Sequence, residues 1–319
     1  MSSFRKINYS LRPAKHAERK MMGELFRRLS AFAPLEEYRY VGLGSVWFAD
    51  FSLYHKALGI ADMVSIERAT GSRARFEANR PFNIQMKFMP TTQALPALEW
   101  TKRSIVWLDY DGVLSTDVLL DARLVGGSCR SGTIIAISVN CGRAEEVNTA
   151  EDDPSGPTAL ERFRVTFGRE RVANNVTDDD LLGRRFAKLS RDMILSEIEE
   201  AVARRNGQGS PKCSFAPIIS FSYKDDAPMT TVVGVLYDET ERENFDRCHF
   251  GELDFLKTGN GLVDILVPKL TIKEIRYLET QLPLSNGQDL QIEGDIPQRE
   301  ANAFVKLYRY LPNFATLEV

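Results

Sequence analysis

The sequence predicts an α/β fold: a parallel sheet wound by helices and closed on one side by an antiparallel hairpin. Three observations predict it. Between residues 38 and 139, short segments rich in aromatic and β-branched residues alternate with helical patterns across short connections, which is the sign of a parallel sheet with right-handed crossovers. Residues 104–109 (Ser-Ile-Val-Trp-Leu-Asp) form a nearly continuous apolar run, as expected of a strand buried on both faces. Two extended stretches, 216–223 and 230–237, are joined by the polar turn Lys224-Asp225-Asp226-Ala227-Pro228, which makes them a hairpin.

The elements follow in order. Met21, Met22, Leu25, Phe26, Leu29 and Phe32 recur at helical spacing, so 13–33 is an amphipathic helix, and Pro13 suits its first position. A strand at 38–42 runs into a glycine loop. Residues 49–58 are helical, with Gly59 placed to end the helix in a left-handed conformation. Strands at 63–67 and 83–89 flank a helix at 73–79, and a helix at 116–124 leads to a strand at 133–139. From 140 to 210 the strand signal disappears; acidic, proline-containing sequence at 151–157 opens into helix, clearest at 189–205. Past 238, helices are expected at 272–281 and 297–310. This gives a basic N-terminal helix (1–36), a sheet domain (37–237) with an α-helical insertion at about 141–210, and a C-terminal extension (238–319).

Composition excludes several classes. The apolar fraction of 43% and charged fraction of 27% over 319 residues are those of an ordinary globular protein. A formal charge of -3 supplies no field for a polyanion, so nucleic acid would need a local basic patch. No apolar run is long enough for a membrane span, and no apolar stretch backs the basic residues of 1–12, so neither membrane insertion nor secretion is expected. Cys129, Cys141, Cys213 and Cys248 lie far apart and read as reduced thiols of a cytoplasmic protein. His16, His55 and His249 show no metal-ligand spacing, which disfavours zinc.

Four groups of residues carry candidate chemistry. Gly42, Gly44 and Ser45 follow the first strand, where a backbone without Cβ atoms lets a ligand approach; an ordinary glycine turn is the plain alternative. Glu67 ends the second strand, about twenty residues on, where a carboxylate can accept from both ribose hydroxyls of an adenine nucleoside; a surface or capping acid is the alternative. Asp109, Tyr110 and Asp111 lie where the fourth strand opens onto the ligand face. Arg12, Lys15, Arg19 and Lys20 crowd the first turns of the N-terminal helix, where the helix dipole disfavours positive charge. Their placement points to an anion: a cofactor carboxylate, a phosphate, a nucleic-acid backbone, or water alone. Trp47 and Phe48 are either stacking groups for a substrate ring or core. His55 reads as structural, and a general-base role for His16 has no support in the pattern.

The stretch Tyr40-Val-Gly-Leu-Gly-Ser-Val-Trp-Phe-Ala-Asp-Phe through Met-Val-Ser-Ile-Glu-Arg68, with Trp107-Leu-Asp-Tyr-Asp-Gly112, resembles a divergent S-adenosylmethionine-binding motif. It is similar to bacterial proteins described as “putative O-methyltransferases”, over roughly residues 12–237. The resemblance implies a Rossmann-like class I methyltransferase sheet, with Gly42, Gly44, Ser45, Glu67 and Asp109 holding S-adenosylmethionine. The third glycine of the family pattern is replaced by Val46. The Asn-Pro-Pro-Tyr or Asp-Pro-Pro-Tyr of base methylases is missing, whereas Asp109-x-Asp111 resembles metal-dependent O-methyltransferases. That likeness implies Mg²⁺ on Asp109, Asp111 and Asn140, the latter being half of those enzymes' Asp-Asn pair. Asp109 and Asp111 are the candidate proton acceptors, and Arg12, Lys15, Arg19, Trp47 and Tyr110 the candidate substrate contacts. The expected activity is methyl transfer to an oxygen or nitrogen acceptor, oxygen being favoured. The alternative is a silent nucleotide- or S-adenosylmethionine-binding subunit or sensor in a bacterial defence or DNA-modification assembly, with the insertion and extension meeting a protein partner or a second copy. An NAD-dependent oxidoreductase fits Glu67 but not the closing hairpin.

Overall fold

The computed structural model describes residues 12–153, 155–207, 211–257, 261–285 and 288–312. Residues 1–11, most of the stretch read above for a secretory signal, lie outside the described residues. The strands are β1 (Arg39–Leu43), β2 (Asp62–Ile66), β3 (Gln85–Lys87), β4 (Ser104–Val113), β5 (Thr133–Asn140), β6 (Cys213–Lys224), β7 (Pro228–Asp238) and β8 (Leu262–Ile265). They form one sheet in the order β3-β2-β1-β4-β5-β7-β6-β8. Strands β1 to β5 pair in parallel, and β7 runs antiparallel to both β5 and β6. The expected parallel sheet and closing hairpin are both present.

Successive strand residues point to opposite faces, and both faces are apolar because helices cover both. Tyr40, Met63, Ile105 and Trp107 pack on one side with α1 (Pro13–Arg28) and α2 (Ala49–Leu58). Their neighbours Val41, Val64, Val106 and Leu108 pack on the other, with α5 (Thr116–Ser128) and α8 (Gly183–Asn206). Helix α1 gives way to a 3₁₀ turn at Leu29–Ala31, short of the expected end at 33. Between α2 and α5 lie the short α3 (Arg73–Asn79) and α4 (Thr91–Ala94).

The insertion comprises α6 (Glu145–Asp152), α7 (Ala159–Phe167) and α8. Thr158 and Glu161 close the start of α7 reciprocally, each side chain accepting from the other's backbone N–H. Helix α8 lies so close to α5 that a Cβ at Gly126 would stand 3.1 Å from the Ile198 backbone. The C-terminal segment carries α9 (Arg242–Arg247), α10 (Ile272–Glu279) and α11 (Gln298–Leu307), and adds β8 as a parallel edge strand on β6. Strand β8 was not expected: it is four residues long and half exposed, too short to show alternation. Phe304 and Leu278 join the same core as α1.

Along the sheet, neighbours depart from β1 in opposite directions, to β2 and to β4. At such a reversal the flanking loops diverge, leaving a crevice beyond the carboxyl ends of the strands.

Candidate functional site

A cleft of about 910 Å³ occupies that crevice. Its floor is made by Leu43-Gly44-Ser45 at the end of β1, 66–69 at the end of β2, 89–91 after β3, and Trp107 and 109–118 from β4 onward; Lys15 and Arg19 of α1, Asp50 of α2, and Glu145, Glu146, Thr166 and Phe167 of the insertion wall it.

The glycine loop turns tightly over β2. The Gly44 N–H donates to the Ile66 carbonyl at 3.0 Å, and a Cβ at Gly44 would sit 2.3 Å from the Ser65 hydroxyl, so no side chain fits. Gly42 does not border the cleft; a Cβ there would press on the Tyr40 ring at 3.0 Å. Val46, at the missing third glycine, is buried in the core, as is Phe48, whose backbone is left-handed (φ 43°) just before α2. Trp47 projects outward and is 43% exposed, away from the cleft lining.

Glu67 stands one residue past β2, half-buried, accepting from the Ala69 N–H at 2.7 Å. Burial raises its pKa. A carboxylate has about four lone-pair sites, so this bond leaves capacity for ligand hydroxyls.

Asp109 and Asp111 are presented by an irregularity in β4. Asp109 pairs with Ser138 and Val113 with Asn140, so four positions on β4 span two on β5, and Tyr110-Asp111-Gly112 bulge into the cleft. The Tyr110 hydroxyl donates to Asp121 at 2.6 Å, which fixes its ring. Asn140 ends β5, but its carboxamide oxygen accepts from the Gly142 N–H at 2.9 Å and does not border the cleft.

Helix α1 holds the least expected chemistry. The Asp225 carboxylate, from the hairpin turn, accepts from the N–H groups of Ala14 and Lys15, both at 3.0 Å, and Arg12 approaches it at 3.8 Å. This carboxylate supplies the anion that a helix N-terminus favours. From the same first turn, the fully buried Lys15 ammonium bridges Asp109 at 2.7 Å and Glu18 at 2.8 Å, and sits 4.3 Å from the Trp107 ring centroid. Thr231 donates to Glu18 and contacts Ser138 at 2.8 Å; Ser138 in turn accepts from the Trp107 indole at 2.9 Å. Burial alone would raise the Asp109 pKa, but Lys15 more than offsets it, with help from Arg19 and Arg12, and the carboxyl is held below its ordinary value. Asp50 accepts from the Tyr40 hydroxyl at 2.5 Å, and burial raises its pKa. Arg19 borders the cleft, is 7% exposed, and its Nε meets no hydrogen-bond partner among the described residues.

Arg12, Lys15 and Arg19, the candidate substrate contacts, are all buried; Arg12 and Lys15 pair with the protein's own carboxylates, and Lys15 and Arg19 line the cleft. One expectation is corrected here: the residues do not fit Mg²⁺. An ammonium already occupies Asp109, Asn140 is spent on its own loop, and among the described residues no group of three or more His, Cys, Asp or Glu is placed to hold a metal ion. His16 is half-buried outside the cleft, its pKa lowered to about 4 by burial and by Lys20 and Arg19. His55 contacts the Ile60 carbonyl at 2.8 Å, closing the turn after α2.

Sequence reasoning missed Asp50 and Asp225. The first stands three residues beyond Trp47 at the start of a helix already recognised, a position that could have drawn notice; Asp225 carries no local signal.

Residues 7–319 match the family described as “Putative O-methyltransferase”. No curated protein matches the chain. Among solved structures it is similar to Trm1 of Pyrococcus horikoshii in complex with S-adenosyl-L-methionine, at 10% identity over 73% of this chain and 57% of that one, TM-score 0.46. It is also similar to DesVI of Streptomyces venezuelae (12% identity, 38% and 49%, TM-score 0.29) and to a Klebsiella pneumoniae protein described as a “putative O-methyltransferase” (12%, 68% and 80%, TM-score 0.38). The chain thus spans about half the length of the first two. Among the described residues no helix is long and apolar enough to cross a membrane.

Proposed function

This chain belongs to the family described as “Putative O-methyltransferase”, and from that premise we propose that it transfers a methyl group from S-adenosylmethionine to an acceptor oxygen. One observation carries the reading: the side-chain-free Gly44 turn, Glu67 and Asp109 converge on one cleft at the carboxyl ends of adjacent strands. When bound, S-adenosylmethionine supplies an electrophilic methyl group on a positively charged sulfur. Glu67 accepts from the ribose hydroxyls. Gly44 and Ser45 let the backbone lie against the methionine portion. Asp109, kept anionic by Lys15 at one oxygen, holds the ammonium of that portion through the other, a task suited to a carboxyl that resists protonation. Asp111, carried outward by the β4 bulge, takes the acceptor proton. The acceptor enters between the bulge and the insertion, where Tyr110 and Phe167 line the wall, and its alignment with the sulfonium supplies most of the acceleration.

Calorimetric titration tests this reading. The protein is expected to bind S-adenosylmethionine with a micromolar Kd, and Glu67→Ala to weaken binding about 10- to 100-fold, the cost of removing a charged hydrogen-bond acceptor. No binding by the intact protein sinks the proposal. Unchanged binding by the variant removes Glu67 from the ribose.

A further inference from the structure

A smaller cavity, of about 270 Å³, opens between α1, α2 and residues 309–310 beyond α11. It lies outside the cleft, and Arg19 is the residue common to the two linings. Its acceptors are spent within the protein. The Glu24 carboxylate takes the Arg309 guanidinium on one oxygen at 3.1 Å and the Tyr310 hydroxyl on the other at 2.9 Å. The Tyr54 hydroxyl donates to the Arg19 carbonyl at 3.1 Å. Its donors are not spent. Lys20 gives one N–H to the Leu311 carbonyl at 3.1 Å, and an ammonium has two more to give. Arg27, on the last turn of α1, makes no ion pair among the described residues. Arg19 is buried, with its Nε unpartnered among the described residues, and buried donors in native structures nearly always have a partner. The surroundings register this excess of positive charge: burial lowers the Lys20 pKa, and Lys20 and Arg19 add to burial in keeping His16 neutral.

We propose that this cavity binds a phosphate group, as the free ion or on a small ester. An ammonium and guanidinium forks with donors to spare suit a tetrahedral oxyanion, which offers several acceptor oxygens at once. Such a group carries about −1.5 to −2 charge at pH 7, which balances the surplus cations. The volume falls below the roughly 300–1,000 Å³ of pockets for larger organic ligands, so the occupant is small. Leu53 and Ala57 supply apolar wall for the short body of an ester. The cleft is a poor rival for the same ion, because Asp50, Asp109 and Glu67 line it and repel a dianion. Nothing in this argument depends on methyl transfer.

Calorimetric titration of the intact protein with inorganic phosphate, at ionic strength held constant with chloride, tests the proposal. One saturable site is expected, with a Kd of about 1 mM or below, the order set by a few charge-assisted hydrogen bonds. Lys20→Gln should weaken it about 10-fold or more, and Arg27→Gln about 3- to 10-fold, less because its charge is exposed and screened. Neither residue borders the cleft, so loss in these variants places the anion in the smaller cavity. Arg27→Gln alters an exposed position and carries the comparison if Lys20→Gln does not fold. Glycerol phosphate distinguishes the two forms of the ligand: binding about tenfold tighter than phosphate marks an ester, and equal binding marks the free ion. Absence of saturable binding by the intact protein overturns the proposal, as does binding that neither variant weakens. A short single-stranded oligonucleotide that binds through Lys20 and Arg27 where phosphate does not also overturns it, and puts a nucleic-acid strand on α1 instead.

Discussion

Two buried charge clusters sit on opposite faces of the sheet and are built differently. On the insertion side, Glu197 of α8 is 4% exposed and accepts from Arg123 at 2.9 Å and Arg171 at 2.7 Å. Both arginines reach water, with side chains 29% and 38% exposed. On the cleft side the Lys15 ammonium is sunk between Glu18 and Asp109, with the Arg19 Nε and the Tyr223 hydroxyl left without hydrogen-bond partners among the described residues. The first cluster closes on itself and joins α8 to α5. The second is complete in its ion pairs but retains unspent donors, one of them on Arg19, which lines the cleft. Burial of charge is common to both; surplus hydrogen-bonding capacity separates a site from a brace.

The sharpest way to break that comparison is Lys15→Met. It strands two carboxylates around a buried apolar side chain and is expected to cost about 3–5 kcal/mol of stability, read by urea unfolding, and to abolish cofactor binding. Glu197→Ala should cost less, roughly 1–2 kcal/mol, because its arginines can turn to solvent, and should leave calorimetric affinity unchanged. Altered affinity would mean that the two clusters communicate. The smallest effect is a pH dependence. The Asp109 carboxyl is held below its ordinary value of 3.8 in the folded protein, so in acid the unfolded chain binds the proton first. Its stabilisation is complete above the ordinary value and lost as pH falls through the lower folded one. Asp109→Asn should remove this component, on the order of 1 kcal/mol, from unfolding curves measured at about pH 5 and pH 3. An identical pH slope in the variant would contradict the pairing with Lys15.

The first of these clusters was invisible in the sequence and the second only half visible. Residues 104–109 and 133–139 declared themselves as strands because both faces of a parallel sheet are apolar, and Gly44 and Glu67 stood out because strand ends and spacing are local properties. Asp109 was recognisable as a strand-end acid for the same reason. Its partner was not, since Lys15 lies 94 positions away. The basic first turns of α1 pointed to an anion; in the structure Arg12 and Lys15 meet Asp225 and Asp109, delivered by tertiary folding from what read as an ordinary turn and a catalytic strand end. Asp111 owes its exposure to a bulge whose cause, a mismatch in length between β4 and β5, no single strand reveals. Strand β8 escaped because four residues at a sheet edge need neither alternation nor an apolar run.

The cap that Asp225 places on α1 has a consequence for biosynthesis. Helix α1 leaves the ribosome long before its cap: the carboxylate that accepts from the Lys15 N–H is 210 positions downstream. Arg309 and Tyr310, which grip Glu24 on the same helix, are later still, 285 and 286 positions away. Domains generally fold from the N-terminus as they emerge, yet here the sheet can assemble while the helix that lines its cleft waits. The wall of the cleft that Lys15 and Arg19 supply is therefore capped by a contact that exists only once residue 225 has been added.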